Sequence, residues 1–486
     1  MGFRAFCYER CRGLAAGRPH RGDRLDGAGH DKRKHEMKSY EMDMTTGSLW
    51  KKILVFSVPL MFSNILQIVF NISDVAVVGK FAGPIALGAV GSTSILITLT
   101  TGLLLGLSSG VSALTALYIG ARDHTSVRKT VHTAALVMAF AGAAIMVLGI
   151  LLAGRVLTAM HTKDELMSGA VCYLRLYLLG TPALALFNFG NAVLSAAGDT
   201  RRPLNYLTFA GVVNVLLNLF FVIVCRMGVS GVAIASILSQ YISAVLVIRL
   251  LLKSRESFGL RPGSLGMDRE TMGRILSIGI PSALQYALFA VANLFVQTSV
   301  NYFDHVMVAG NSAAANSDPL VYDMMAAFYT ACTSFIAQNL GAGNRQRIRK
   351  SFYICLVYSF GLGLALGLGI YVLRYPFLSM FTSDQAVVEA GIKRLSVMAL
   401  SYCVSAFMDC TIAASRGLGK TVVPMLIVTA GSTLFRLVWI WTVFACFRTI
   451  ESLYLLYVCS WTITAAAEII YFAWVFRGVG RQEPVG

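Results

Sequence analysis

Four polar residues interrupt the first long apolar stretch of the chain: Asn64, Gln67, Asn71 and Asp74. Their spacings of 3, 4 and 3 put all four on one face of a helix. A second stretch carries Gln285, Asn293, Gln297 and Asn301 at spacings of 8, 4 and 4, again one face. Two facing polar stripes predict a wet cleft between two helix groups, with Gln67, Asn71, Gln285, Asn293 and Gln297 lining it. Asp74 stands 15 residues after Pro59, roughly 22 Å along a helix. A carboxylate in such surroundings needs a proton, a bound cation or hydrogen-bond donors. That chemistry is reversible cation binding rather than bond cleavage. Asn214 and Asn218 are one helical turn apart and share a face. With Ser236 they are candidates to complete an oxygen-rich site for H⁺ or Na⁺ around Asp74.

Other charges inside apolar stretches are Asp323, Asp409, Arg436 and Glu468. Asp409 and Arg436 are expected to line the cleft as well, and are candidates for a buried pair there. Asp323 is expected to reach water near a helix end, and Glu468 has no evident partner. No Walker A loop, H-E-x-x-H, G-x-S-x-G or His/Cys cluster with metal spacing occurs. The residues therefore point away from an enzyme, and no cofactor is expected.

The elements that must position these residues follow from composition. The chain has 486 residues, 56% of them apolar and only 13% charged, with a mean hydropathy of +0.67. Soluble domains average about 25% charged. A net charge of +17 would suggest nucleic acid in a soluble chain. Here the low charge content excludes both that reading and disorder. Spans of roughly 20 mostly apolar residues centre near 53–78, 90–118, 129–153, 168–190, 204–225, 231–252, 275–300, 319–340, 351–373, 390–413, 424–446 and 452–476. The fold class is an all-α membrane protein with twelve transmembrane helices. Placing the N-terminus inside puts 19 Lys and Arg on inside loops and 9 on outside loops and helix mouths, Arg394 among the latter. This bias predicts both termini on the cytoplasmic side of the cell membrane.

A repeat divides the chain. Ile53-Leu-x-x-x-Val-Pro59 recurs as Ile275-Leu-x-x-x-Ile-Pro281, shifted by 222. Gly120-Ala121 recurs as Gly341-Ala342, and Gly198-x-Thr200-x-x-Pro203 as Gly419-x-Thr421-x-x-Pro424, each shifted by 221. Six helices per half is even, so the two lobes have the same orientation in the membrane, a parallel repeat. The expected division is a polar, disordered tail over 1–46, an N-terminal lobe over 47–257 and a C-terminal lobe over 258–486. Met37, Met42 and Met44 stand nearer the first span and are alternative starts. The ten scattered cysteines, with no C-x-x-C pair, read as small core residues.

With these motifs assembled, the chain resembles the multidrug and toxic compound extrusion (MATE) family. The resemblance rests on Pro59 with Asp74, Gly120-Ala-Arg-Asp123, Gly341-Ala-Gly-Asn344, Ala196-Ala-Gly-Asp-Thr-x-x-Pro203, Arg416-Gly-Leu-Gly-Lys-Thr-x-x-Pro424 and Gly231-Val-Ala-x-Ala-Ser236. It covers about residues 47–477. It implies two lobes in a V, alternating access, and export of an organic, cationic or amphipathic compound in exchange for H⁺ or Na⁺. It also implies a cation site at Asp74, Asn214, Asn218 and Ser236. Asn218 and Ser236 replace the Asp and Thr of some members, which favours protons over Na⁺. The acid that other members carry on helix seven is absent. The implied protein is monomeric, binds small organic substrates and membrane lipids, and does not bind nucleic acid. The alternative is a lipid-linked oligosaccharide flippase of the same superfamily.

Overall fold

The computed structural model describes residues 42–479. In a bilayer the backbone must satisfy its own polar groups, so long apolar runs become helices. Eleven helices are long and apolar enough to span, and one bent pair completes twelve. In chain order they are α1 Leu49–Ala82, α2 Pro84–Gly120, α3 His124–Ala159, α4, α5 Arg201–Val224 and α6 Gly228–Lys253. The second half has α7 Arg269–Val300, α8 His305–Gly341, α9 Arg345–Val372, α10 Gln385–Gly417, α11 Val422–Phe447 and α12 Ile450–Gly478. Helix α4 is the pair Asp164–Leu179 and Thr181–Ala196, bent by 44° where Gly180 precedes Pro182. The lipid-facing surface is apolar. Phe140, Leu151, Val372, Trp441 and Trp474 all stand largely exposed, which only a hydrocarbon surround tolerates.

Two expectations need correction here. The predicted eighth span opened at 319, but α8 begins at His305 and carries Asn311 and Asp318 into the lobe. A polar tail was expected to reach residue 46, yet its last residues pack. Met44 is fully buried with Ile53, Phe335 and Ile336. Residues 1–41, including Cys7 and Cys11, lie outside the described residues. Of the described cysteines, Cys332, Cys355, Cys403 and Cys410 are core residues, whereas Cys172, Cys225 and Cys446 are exposed. Exposure to hydrocarbon suits the same small apolar side chain.

The repeated motifs perform the same job twice. Pro59 in α1 and Pro281 in α7 remove a backbone donor from their helices. The Thr200 hydroxyl donates to the Phe56 carbonyl at 2.9 Å, and the Thr421 hydroxyl to the Ser277 carbonyl at 3.0 Å. Each bond ties the start of the fifth helix of a lobe to the proline turn of its first. The Gly-Ala motifs meet across the pseudo-symmetry axis. A Cβ on Gly120 would lie 1.9 Å from the Gln338 carbonyl oxygen, and one on Gly341 1.9 Å from the Leu117 carbonyl oxygen. Leu117 and Gln338 are themselves related by the repeat shift. Only glycine allows this approach of α2 and α8.

The lobes join through α2 on α7, α1 on α8 and α2 on α8. These contacts gather at the end of the bundle that carries the connection between the lobes, here termed the linker end. There Gln338 donates to the Ala196 carbonyl at 2.6 Å and accepts from the Met44 amide at 3.2 Å. Arg347 binds the carbonyls of Met44, Thr46 and Gly47 at 2.9–3.0 Å. The linker itself is pinned to α3, where the His132 Nε2 accepts from the Arg261 amide at 3.0 Å.

Candidate functional site

The N-terminal lobe gathers the predicted cation-site residues into one contact set. Asp74 on α1 accepts a hydrogen bond from the Asn218 amide on α5 and, at 3.2 Å, from the Ser236 hydroxyl on α6. The Asn218 amide also donates to the Asn214 side-chain carbonyl at 3.3 Å, and the Asn214 amide to Ser236 at 3.5 Å. Asn214, Asn218 and Ser236 are all buried. Packing explains the closeness. A Cβ on Gly211 would overlap the Phe70 ring at 1.8 Å, so α5 approaches α1 one turn before Asp74. Immediately after Asp74, α1 widens into a π-turn at Val78–Ala82, and α5 does the same at Phe220–Val224. Such turns break the regular ladder and mark helices able to adjust. Among the described residues no Lys or Arg lies within ion-pair distance of Asp74. One further acceptor, the Asn218 Oδ1, is buried without a partner. The set therefore offers one carboxylate and neutral oxygens, enough for a proton and chemically suited to a small hard cation.

A cavity of about 590 Å³ lies between the lobes. Its N-lobe wall is neutral and polar: Ser108, Ser109 and Ser112 from α2, with Asn188, Asn191 and Ser195 from α4. Its C-lobe wall carries Gln285, Asn293 and Gln297 from α7, together with aromatic rings and charges. Three of the five predicted stripe residues thus line it. Gln67 and Asn71 do not: they are exposed outside its lining. Spacing fixed their shared helix face, and the bonds on that face, from Asn64 to α8 and at Asp74 to α5 and α6, lie to either side of them. The remaining stripe residue, Asn64, donates to the backbone carbonyl of Asp323 on α8 at 2.5 Å, a bond between lobes. Nothing in the apolar periodicity pointed to α2 and α4 as a wall. The run of serines at 108, 109 and 112 was the available signal.

The predicted Asp409–Arg436 pair does not form. Arg436 donates instead to the Asn293 side-chain carbonyl at 2.9 Å and to the Ser460 hydroxyl at 3.4 Å, and it stacks on Tyr457 at 4.6 Å. Asp409 and Arg436 both line the cavity but make no ion pair. The buried pair is elsewhere. Arg394, expected at an outside mouth, is buried on α10 and bonds Asp318 and Asn311, each at 2.6 Å. Tyr402 adds a hydrogen bond to Asp318 at 2.5 Å. Asp323 lines the cavity. Glu468 on α12 is fully buried, and neither of its carboxyl oxygens has a hydrogen-bond partner.

Comparison with known proteins agrees with this architecture. The MatE family model matches residues 59–220 and again 281–442, two blocks that open on the repeat-related prolines. A probable multidrug resistance protein of Bacillus subtilis, YpnP, is 29% identical over 75% of this chain and 81% of its own length. A probable multidrug resistance protein of Thermotoga maritima, NorM, is 25% identical over 80% of this chain and 84% of its own. Among solved structures, a MOP superfamily transporter of Pyrococcus furiosus superposes with a TM-score of 0.85. It shares 21% identity and covers 90% of this chain and 98% of that one. An outward-facing multidrug resistance MATE family transporter superposes with a TM-score of 0.84. With a matching family model over both halves, twelve spanning helices and a parallel repeat, this chain belongs to the MATE family of membrane transporters.

Proposed function

We propose that the protein is a secondary antiporter that exports amphipathic organic compounds in exchange for H⁺ or Na⁺. The observation that carries the reading is Asp74, held by Asn218 and Ser236 within a spanning helix and without a countercharge. Cation uptake neutralises this carboxylate and weakens its demand for donors. Helix α1 then repacks, with Pro59 and the π-turn at Val78–Ala82 as the places where its ladder is already broken. Because α1 packs on α8, that movement reaches the cavity wall. Coupling requires only that cation and substrate favour different states. A proton needs Asp74 alone, whereas Na⁺ would recruit Asn214 and Asn218 oxygens. The single carboxylate favours the proton.

In this reading the linker end faces the cytoplasm, as the Lys and Arg bias requires, and both termini lie there. The contacts at Gly120, Gly341, Gln338 and Met44 close that side, so the state is outward-facing. The protein works as a monomer in the cell membrane. The flippase alternative is less well supported. The curated relatives include drug-resistance proteins and, in Shewanella oneidensis, an FAD transporter.

The test is efflux from proteoliposomes with pH and Na⁺ gradients imposed separately. Wild-type protein should respond to one gradient, and Asp74→Asn should lose that response at least tenfold, the size of roughly 1.4 kcal/mol or more in coupling. Undiminished gradient-driven efflux by Asp74→Asn would sink the assignment.

A further inference from the structure

Of the three arginines that line the cavity, Arg394 is ion-paired, while Arg416 and Arg436 are not, and Arg436 lies among the cavity's aromatic rings. It is 2% exposed and lies within a spanning helix, where an unpaired charge is costly. Yet among the described residues no carboxylate comes within ion-pair distance of it. The contrast with Arg394 is direct, since Arg394 has Asp318 at 2.6 Å. Arg436 is instead held by neutral groups. Asn293 takes one Nη1 proton, Ser460 takes the Nε proton, and the Tyr457 ring covers one face. Two π-turns, Thr429–Leu434 and Ile440–Phe444, bracket the short helix Phe435–Trp439 that carries it.

A guanidinium has five N–H donors in a fixed fork. Two are used by the protein, and the Nη2 group has no partner and is not sealed in the core. The residue lines the cavity, so the unused donors are available there. A planar fork of this kind is the complement of an oxyanion, which it binds through two parallel hydrogen bonds. Beside it stands an aromatic wall. Tyr457 lies 5.7 Å and Tyr322 5.8 Å from Trp461, ring centre to ring centre.

Resting on the export reading above, we propose that Arg436 is an anion subsite, and that the transported compounds carry a carboxylate, sulfonate or phosphate on an aromatic body. The substrate supplies the countercharge that the protein withholds. The neutral serines and asparagines of the N-lobe wall bind the rest without imposing charge. Asp323 and Asp409 on the same lobe are there for a cationic group elsewhere on the molecule, so zwitterions fit.

The test uses two dyes that share one xanthene body: rhodamine B, which has a free carboxylate, and its ethyl ester, which lacks it. Binding to the full chain is read by fluorescence polarisation, and efflux is read in proteoliposomes. Wild-type protein should bind rhodamine B at least about tenfold tighter than the ester, as expected for one charge-assisted bidentate contact. Arg436→Gln should bring the ratio near one by loss of rhodamine B affinity. Arg436→Lys, which keeps charge but not the fork, should retain roughly a threefold preference. A structural role for Arg436 would lower both affinities together and leave the ratio in place. Equal wild-type affinities, or a ratio that persists in Arg436→Gln, overturn the anion subsite and leave the export reading intact. Failure of the wild type to bind or export either dye overturns the export reading and the subsite with it. If Arg436→Gln does not fold, the wild-type ratio and Arg436→Lys decide the question.

Discussion

Each lobe carries acid within its spanning helices, half-buried at Asp74 and fully buried at Glu468, but the two settings differ. In the N-terminal lobe Asp74 has an amide and a hydroxyl donating to it. In the C-terminal lobe Glu468 is buried with both carboxyl oxygens unpartnered. The repeat does not carry either acid across. Val296 stands where Asp74 would recur, and Val247 where Glu468 would precede, both packed in the core. Shared ancestry of the lobes thus preserved hinges and axis contacts, while chemistry diverged. A carboxyl with polar partners from two other helices can report a cation to its lobe. Glu468 has no hydrogen bond through which to do the same, and its charged neighbour is the like-charged Asp409.

The largest expected effect separates the two acids functionally. Asp74→Asn should lose at least about tenfold of gradient-driven efflux, and Glu468→Gln should keep efflux within about twofold of wild type. Proteoliposome rates for both variants at equal protein density measure this. Equal losses would erase the distinction between lobes. A second effect tests what the lobes still share. Gly341→Val places a Cβ against the Leu117 carbonyl, and Gly120→Val does the same at Gln338. Each should destabilise the closed linker end by about 1–3 kcal/mol. Faster thiol labelling of a cysteine introduced at Ala337, fully buried against Ala116 and Ala196 in this state, would reveal it, and unchanged labelling in both variants would refute the axis contact.

A third, smaller effect concerns stability. Glu468→Met replaces an unpartnered buried carboxyl with an apolar side chain of similar size. Stability should rise by about 1–2 kcal/mol, read as a higher unfolding midpoint in detergent. A drop instead would mean that Glu468 has a partner in another conformation. The smallest effect lies at the lobe boundary. Asp268 caps α7 by accepting from the Thr271 amide at 2.9 Å and hydroxyl at 2.6 Å. The Thr271 hydroxyl and amide hold its carboxyl below the usual aspartate range. Its contribution is therefore present above the ordinary aspartate value and is lost as pH falls through the lower, folded one. Asp268→Ala should cost at most about 1 kcal/mol at neutral pH. The difference should shrink as pH falls below the ordinary aspartate value toward the lower, folded one, and a difference that persisted in full through that fall would argue against the cap.

What was legible in the chain was whatever recurs locally. Apolar length gave the spans, and spacing gave the faces of α1, α5 and α7. The repeat gave the lobes, and the glycines at 120 and 341 turned out to meet each other. The proposed cation site was readable because its four residues sit on three neighbouring helices of one lobe. The cavity was harder. Gln67 and Asn71 share the face expected for a lining, yet only Asn64 of that face reaches a residue of the cavity wall, Asp323.

The sequence by itself determined that this is a twelve-helix membrane protein of two repeated halves, with Asp74 set among apolar residues. Those facts depend on hydrophobicity and period, which are properties of short segments. Only the tertiary structure decided that Arg394 pairs with Asp318, that Arg436 leaves Asp409 for Asn293, and that α2 and α4 form the cavity wall. The rotation of a helix about its axis, and the partner a long side chain reaches, are set by packing against helices distant in sequence. No local spacing carries that information.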